Sequence, residues 1–362
     1  MTRPSVLFSV FFMSFIILGV IFENILRGFS EVTFQAVIHS SLVYTFSLYV
    51  FQKNKPPRSR VKVKFVDNRK WLAIISFIIS AIGILSGFLF FLKIGHIPLL
   101  SNASPESRIS AMQGNGSLLQ PLRSAPIAAI ALTFGTSYKK TGLFFFFVSN
   151  SLFLGTGFRG FFVQNILFLG ILYFLVNGRR LDYRHMFAFG IVIIFTVFSL
   201  GLIRGDGAII ASLGLKIAHA FSVSIYILEV TLDNFTEFKY GSTFLYKFTS
   251  ILPIPNIEYS QWLTKQLPIS FKGGVTPTLI GDFYINFGSG YFILFAPLAW
   301  ILTRLDTQAV STQRITSLLM ISTISMGIAR SVTGGLSNTI FQTVLLCFII
   351  FILSIFSRMK NH

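Results

Sequence analysis

The chain has 362 residues, of which 53% are hydrophobic and only 12% are charged, about half the charged share usual in soluble domains. This composition, with a mean hydropathy of +0.73, excludes a water-soluble globular fold and predicts a bundle of membrane-spanning helices. The formal net charge is +18, and in a membrane protein the first question is which side of the bilayer each base occupies.

The first two predicted spans lead into the strongest topological signal of the sequence. Ser5–Phe22 is an apolar stretch preceded by Arg3 and followed by no signal-peptide cleavage pattern, so we interpret it as a retained first helix. Thr33–Phe51 predicts the second helix. Residues 52–70 then carry eight bases and one acid, and a short segment so rich in lysine and arginine is retained in the cytoplasm. This basic loop fixes the orientation of the other spans by alternation.

Five more spans are predicted before residue 204. Trp71–Phe91 runs outward into a polar outer loop at residues 94–122, which contains several prolines and glycines. Four further runs follow it: Arg123–Tyr138, Leu143–Thr156, Phe161–Asn177 and His185–Ile203. The second and third of these predict a tight hairpin whose outer tip is Gly157-Phe158-Arg159-Gly160.

The remainder of the chain combines a long outer segment with three more spans. Within the outer segment, residues 204–281, Ala208–Leu232 is apolar on one face, which predicts a helix that lies in the interface or re-enters the bilayer. The last spans are Asp282–Leu302, Ile315–Ser331 and Leu336–Phe356. We therefore predict an all-α, polytopic membrane bundle. Residues 1–362 form a single transmembrane domain with about ten transmembrane helices, and both termini are cytoplasmic.

The distribution of charge agrees with this orientation. With the predicted orientation, 18 of the 30 bases and three of the 12 acids lie on the cytoplasmic side. That side therefore carries +15 and the outer side +3. Most of the net charge is thus explained by topology and says little about a substrate.

Six arginines fall on the predicted outer side, and several lie beside glycine: Arg27, Arg108, Arg123, Arg159, Arg204 and Arg330. Glycine lets backbone N–H groups approach an anion while the planar guanidinium binds its oxygens in pairs. Arginine near membrane depth is also costly and usually has an assigned partner. The set predicts binding of a phosphate or pyrophosphate. The alternative is that each arginine pairs with a neighbouring acid or a lipid headgroup.

Among the outer acids, Asp282 is the best-placed candidate for a base that takes a proton from a sugar hydroxyl. It opens a predicted span, so it lies at the membrane surface with Tyr284 and Asn286 close to it in sequence. The alternative role is that of an N-cap or first-turn acid that interacts favourably with the helix dipole.

The sequence predicts no cofactor site. Its one cysteine, Cys347, lies in an apolar run, its five histidines lack ligand spacing, and no glycine-rich nucleotide loop occurs. We therefore expect neither a metal nor a cofactor, and no nucleic acid partner.

Three passages together support a family resemblance. The first is Gly95-His-Ile-Pro98-Leu-Leu-Ser101 followed by Arg108, the second is the hairpin tip at residues 157–160, and the third spans residues 273–288. In order and spacing they resemble the oligosaccharide repeat-unit polymerases, the Wzy-type O-antigen and capsule polymerases of bacteria. In the third passage, Asp282 stands where that family usually has glutamate.

The resemblance implies transfer of a growing glycan from undecaprenyl pyrophosphate to a lipid-linked repeat unit, at the outer leaflet of the bacterial inner membrane. Because such a donor is already activated, neither a nucleotide nor a metal is required. On this hypothesis the catalytic residues are Arg159, Arg204 and Asp282, and the substrate-binding residues are Arg108, Arg123, Arg330, Tyr284 and Asn286. The expected partners are the lipid-linked oligosaccharide, membrane lipid and a chain-length regulator protein.

Three other functions stay open at this point. An O-antigen ligase would use the same lipid donor but pass the glycan to a lipid A core. A transporter or flippase of lipid-linked oligosaccharide would bind the pyrophosphate without chemistry, although the predicted spans are almost uncharged at their centres. A structural membrane subunit would explain the fold but not the arginines beside glycine.

Overall fold

The computed structural model describes residues 4–28, 30–53, 70–99, 115–156, 162, 164–166, 168–170, 172, 210–246, 259–269, 275–312 and 314–358. Across these ranges every regular element is helical. The α-helices are α1 (Pro4–Leu26), α2 (Glu31–Lys53), α3 (Lys70–Ile94), α4 (Gly116–Gly135), α5 (Lys139–Gly155), α6 (Ile210–Asn234), α7 (Tyr259–Gln266), α8 (Leu279–Phe287), α9 (Phe295–Ser311), α10 (Ile315–Gly334) and α11 (Leu336–Arg358). Two 3₁₀ segments, Ser242–Leu245 and Gly288–Leu294, complete them.

Five of the described segments are long and apolar enough to cross a membrane: Glu31–Lys53, Lys70–Ile94, Leu279–Ala309, Ile315–Gly334 and Thr339–Phe356. α1 adds a shorter apolar stretch, Phe12–Leu26. The predicted all-helical membrane fold is therefore confirmed, whereas the predicted number of about ten spans is not. Two of the predicted spans, Phe161–Asn177 and His185–Ile203, lie largely or wholly outside the described residues.

α10 lies at the centre of the bundle. One of its sides, with Ile321 and Ile328, joins a buried cluster with α1, α2, α6, α8 and α9. Another side, with Leu318 and Met326, joins a second buried cluster with α3, α4, α5 and α11. Large apolar side chains on other helices, such as Phe46 on α2, stay exposed, as expected of a surface that faces lipid.

One end of the bundle joins helix ends that the sequence assigns to the cytoplasmic side. The Asp306 carboxylate, near the end of α9, accepts the backbone N–H of Ser5 at 3.0 Å and also its hydroxyl. The Gln52 amide, at the end of α2, donates to the Ser5 hydroxyl oxygen at 3.1 Å. These contacts fasten the start of α1 to the ends of two other helices.

Further contacts join the ends of the remaining helices in the same way. Gly135, at the end of α4, packs against Leu72 and Ile315, which lie at the starts of α3 and α10. At the opposite end of the bundle, the N–H of Leu99 donates to the carbonyl of Gly155 at 3.0 Å. The helix ends that alternation places on one side of the membrane thus lie together.

α6 runs alongside α1 and in the same direction. At the end of α1, Glu23 hydrogen-bonds Ser222, and Arg27 lies over the ring of Tyr226 at 4.5 Å. The pair Arg27–Tyr226 lies four residues, about one helical turn, after the pair Glu23–Ser222 on both helices, so the two helices are parallel. The stretch expected to lie in the interface or re-enter the bilayer thus forms a helix that packs into the bundle, where Leu228 is fully buried.

Candidate functional site

The turn between α10 and α11 lies between two polar clusters. Gly335 forms this turn with a φ of +70°, a conformation that favours glycine. A Cβ at this position would lie 3.1 Å from Pro277 and 3.3 Å from the Cβ of Asp282. Glycine therefore allows both the turn and the close approach of α8. Arg330 lies just before the turn, and Ser337 lies just after it.

Arg330 is held by two neutral amides. Its Nη1 donates to the Oε1 atoms of Gln164 at 2.9 Å and of Gln342 at 2.7 Å. Gln342 comes from the second turn of α11, and Gln164 from the helical residues 164–166. These two contacts set the direction of the guanidinium through the fold.

A small cavity adjoins this arginine. Polar side chains on its wall include Asn165, Thr323 and Thr343, and apolar ones include Ile127 and Phe168. Arg330 is the one charged residue among the described side chains that line it. Its volume of about 10 Å³ is the space of about one water molecule. A phosphate would therefore enter only if one of the two glutamines moved away from the guanidinium.

Arg123 lies one helical turn from this cavity. It is half-buried in α4, four residues before Ile127, which lines the cavity wall. Because residues four apart share one face of a helix, Arg123 lies on the same face of α4 as Ile127. The structure thus places two of the predicted substrate-binding arginines, Arg123 and Arg330, close to one cavity.

The other predicted cationic residues, Arg108, Arg159 and Arg204, lie outside the described residues. Gln164, which contacts Arg330, follows Arg159 by five positions in the sequence. Arg27 instead pairs with a neighbouring acid, Glu23, at 3.5 Å, which is the alternative role considered for these arginines.

The second cluster surrounds Asp282, which is fully buried. One carboxylate oxygen accepts the Tyr259 hydroxyl at 2.8 Å and the Ser337 hydroxyl at 2.7 Å. The other accepts the backbone N–H of Ser337 at 2.6 Å. Because Ser337 is the second residue of α11, the carboxylate caps the positive end of that helix from another part of the chain.

This geometry gives Asp282 more donors than a free general base would have. Its own helix, α8, has a separate N-cap in Thr278, whose hydroxyl accepts the N–H of Gly281 at 3.2 Å. Burial is the main reason that the pKa of the Tyr259 phenol lies well above its usual value, and the neighbouring charge of Asp282 raises it further. Tyr259 therefore keeps its proton and donates it to the hydrogen bond. The arrangement suits a carboxylate that holds helices together.

Asn286 extends the Asp282 cluster by one turn of α8. Its amide nitrogen donates to the Thr243 hydroxyl at 2.7 Å, and its amide oxygen accepts the N–H of Gly241 at 3.0 Å. Thr243 in turn lies 2.8 Å from the Ser337 hydroxyl. The same amide thereby supports a turn in which Tyr240 has a φ of +48° and an 82% exposed side chain.

Tyr284 points away from the Asp282 carboxylate. Its hydroxyl donates to the backbone carbonyl of Leu232 at 3.3 Å, and its ring contacts Phe238 and Tyr291 edge-on. The structure therefore joins Asn286, but not Tyr284, to Asp282. Tyr259 stacks on Trp262 with ring centroids 5.7 Å apart, so this buried tyrosine belongs to the protein interior.

Sequence reasoning missed the partners that define both clusters. Gln164 and Gln342 are polar residues within apolar runs, and such residues mark interhelical contacts in membranes, so this signal was available. Tyr259 and Ser337 have no comparable signal. In the described ranges, no three side chains of His, Cys, Asp or Glu gather as they would around a metal.

Comparison with known proteins adds one match. A family model described as "Putative O-antigen polymerase" matches residues 2–314 of the chain. The matched range includes α1 to α9, and therefore Asp282, Asn286 and Gln164, and ends before α10. The chain has no significant match among curated proteins or among solved structures.

Proposed function

This chain belongs to the O-antigen polymerase family, and we propose that it joins oligosaccharide repeat units carried on undecaprenyl pyrophosphate. The family indicates a multi-pass membrane protein that polymerises polysaccharide by glycosyl transfer from a lipid-linked oligosaccharide. We further propose that the lipid carrier is undecaprenyl pyrophosphate and that the reaction takes place at the outer leaflet of the inner membrane. Both termini would then lie in the cytoplasm. The product would be O-antigen, capsule or exopolysaccharide.

The observation that supports this proposal is the position of Arg330. Two amides orient this guanidinium towards a polar cavity, next to α4 with Arg123 and to the segment that follows Arg159. In the proposed reaction, an acceptor hydroxyl oxygen bonds to the donor sugar as the bond from that sugar to pyrophosphate breaks, and the hydroxyl proton passes to an oxygen of the departing pyrophosphate. The lipid pyrophosphate leaves with negative charge, which oriented arginines stabilise.

We assign the pyrophosphates to Arg108, Arg159, Arg204 and Arg330, with Arg123 as an additional cation. Access to Arg330 requires Gln164 to give way, since the cavity holds about one water molecule, while Gln342 keeps its shorter contact and with it the direction of the guanidinium. Oxygens of a pyrophosphate are better acceptors for a guanidinium than neutral amides, because the contact is charge-assisted. Binding would thus exchange an amide contact for a stronger one.

For Asp282 we propose a positioning role rather than that of the base. It fastens the start of α11, and α11 carries Gln342, which holds Arg330. Asn286 supports the same corner through Thr243. For Tyr284 we propose an indirect role, through its packing against Tyr291.

The test in cells is a polysaccharide ladder from a deletion strain that carries each variant. Arg159→Ala and Arg204→Ala should leave the protein in the membrane and abolish the long chains, with lipid-linked single units accumulating. Arg304→Ala is the matched control, because this exposed arginine lies over Trp300 on α9, away from the cavity. Normal long chains from both test variants would contradict the assignment.

The same strain separates the alternatives. Loss of an O-antigen ligase leaves long chains on the lipid carrier, whereas loss of a polymerase leaves single units. Loss of a transporter or flippase retains the lipid-linked units on the cytoplasmic side. A chain-length regulator is a further proposed partner, and its loss would change the distribution of lengths without removing polymer.

A further inference from the structure

A groove opens at the end of the bundle opposite Arg330, between α3 and the link from α4 to α5. Its volume is about 570 Å³, within the range of about 300–1,000 Å³ that is typical of ligand sites. Ala73, Ile74, Phe77 and Ile78 on α3, with Leu132 on α4, form its apolar walls. Residues at i, i+1, i+4 and i+5 share one side of a helix, so the wall is continuous.

The polar groups of the groove gather at one end. Lys70, Ser137, Tyr138 and Thr141 line it there, and all but the half-buried Thr141 are exposed. From Lys70 to Ile78 is about 12 Å along α3, given a rise of about 1.5 Å per residue. The groove is thus charged and hydroxylic at its mouth and apolar further along.

The mouth also carries an excess of positive charge. Lys139 and Lys140 begin α5, directly after Tyr138, and both are exposed. Among the described residues, the ion pairs of Arg27 and Lys239 lie elsewhere. One lysine thus lines the polar end of the groove, and two more follow Tyr138 directly in the sequence.

Two aromatic residues place this mouth at the membrane surface. Trp71 is 43% exposed and Tyr138 is 57% exposed, and both stand beside the lysines. Exposed Trp and Tyr side chains favour the level of the lipid headgroups, where an amphipathic ring meets both water and hydrocarbon. The apolar walls then extend from the headgroup level into the acyl-chain region.

We propose that this groove binds an anionic phospholipid of the leaflet at which α3 begins. The phosphate lies between the Lys70 ammonium and the hydroxyls of Ser137 and Thr141, while the upper part of an acyl chain lies along Phe77 and Ile78. Charge complementarity selects an anionic headgroup, and the apolar wall selects a lipid over a soluble phosphate.

Native mass spectrometry of the full chain tests this proposal. The purified protein is titrated with phosphatidylglycerol and, separately, with phosphatidylcholine of the same acyl chains. One phosphatidylglycerol should be retained at least about fivefold more tightly than phosphatidylcholine, since each lysine at the surface contributes about that factor. Lys70→Gln should lower the affinity for phosphatidylglycerol about fivefold. Ser137→Trp fills the mouth and should abolish the binding of this lipid.

Two matched variants keep the test sharp. Lys70→Arg retains the charge and should retain binding, which separates loss of charge from loss of fold. Lys93→Gln removes an exposed lysine at the other end of α3 and should have no effect. Equal retention of the two lipids by the native protein, unchanged binding in both Lys70→Gln and Ser137→Trp, or an equal loss in Lys93→Gln would each overturn the proposal. Retention of undecaprenyl phosphate in place of phosphatidylglycerol would do so as well.

Discussion

Two buried aspartates in the last third of the chain have the same structural task. Asp282 accepts the N–H of Ser337 at the start of α11, and Asp306 accepts the N–H of Ser5 at the start of α1. In each case the carboxylate comes from a distant part of the chain and meets the positive end of a helix. Each aspartate therefore stabilises both a helix terminus and the contact between two segments.

This task leads to a prediction for Asp282. Asp282→Asn keeps an oxygen for the N–H of Ser337 and should retain measurable polymerisation, whereas Asp282→Ala should lose it. Asp282→Ala should also lower stability by about 2–3 kcal/mol, because charged hydrogen bonds are lost from a buried site. The measurements are the initial rate of polymer formation and the thermal unfolding midpoint in detergent.

The control for Asp282 is Glu237→Ala, which removes an acid with an 87% exposed side chain. It should change neither the rate nor the unfolding midpoint. A general base would give a different pattern, since Asp282→Asn would then be as inactive as Asp282→Ala while the folded protein kept its stability.

Gln342 gives a second prediction at the residue scale. Gln342→Ala removes the shorter of the two contacts to Arg330, at 2.7 Å, and leaves the one to Gln164. A hydrogen bond to a charged group contributes about 1.5–3 kcal/mol, so we expect a polymerisation rate at least about tenfold lower. Gln308→Ala, at an exposed position on α9, is the control and should leave the rate unchanged. A normal rate from Gln342→Ala would show that the orientation of Arg330 does not matter.

At the scale of elements, continuous apolar runs predicted helices well. The predicted span Ser5–Phe22 is part of α1, and Trp71–Phe91 is part of α3 with a few more residues at its end. We predicted a start at Arg123 because Gly116 and Pro121 suggest a loop, but α4 begins seven residues earlier, at Gly116. A membrane helix tolerates prolines, and α4 continues through Pro121 and Pro126.

The last third of the chain shows where local patterns fail. The predicted span Asp282–Leu302 is interrupted by the 3₁₀ segment Gly288–Leu294, which begins at a glycine with a φ of +60°. The contacts of Asp282 come from residues 23 and 55 positions away. Hydrophobic periodicity carries no information about such pairs, because they depend on how the helices pack.

The glycine turn between α10 and α11 allows a prediction with an internal control. Gly335→Ala places a Cβ at positive φ and 3.1 Å from Pro277, whereas Gly28→Ala meets a similar φ, +88°, with nothing within 4 Å. Both substitutions cost about 1 kcal/mol of backbone strain. Gly335→Ala should lower the unfolding midpoint further and reduce polymerisation, while Gly28→Ala should keep its activity. Equal effects of the two would contradict a close approach of α8 to this turn.

At the scale of the whole molecule, the charge asymmetry makes the orientation testable. The only cysteine, Cys347, can be replaced by serine to give a background for single cysteines. Lys93→Cys and Lys139→Cys then mark opposite ends of the bundle, both at exposed positions. In intact cells whose outer membrane has been permeabilised, an impermeant maleimide should label the first and not the second. The reverse labelling would invert the proposed topology.

At the scale of the whole molecule, α4 links the arginine cavity to the groove between α3 and α5. Ile127 lines the cavity and Leu132 lines the groove, and these residues are about 7.5 Å apart along the helix. The sequence alone identified Arg123 and Arg330 as cations near one membrane surface. It did not identify the glutamines that orient Arg330, since neither residue has a partner nearby in the sequence.

The most direct test of the central claim uses purified protein in liposomes with lipid-linked repeat units and no nucleotide, metal or second protein. The native chain and Arg304→Ala should produce a ladder of glycans on the lipid carrier. Arg330→Ala should reduce that product at least about 100-fold, the usual effect of removing one donor that stabilises developing negative charge. Absence of polymer from the native chain, or a normal ladder from Arg330→Ala, would contradict the proposed function.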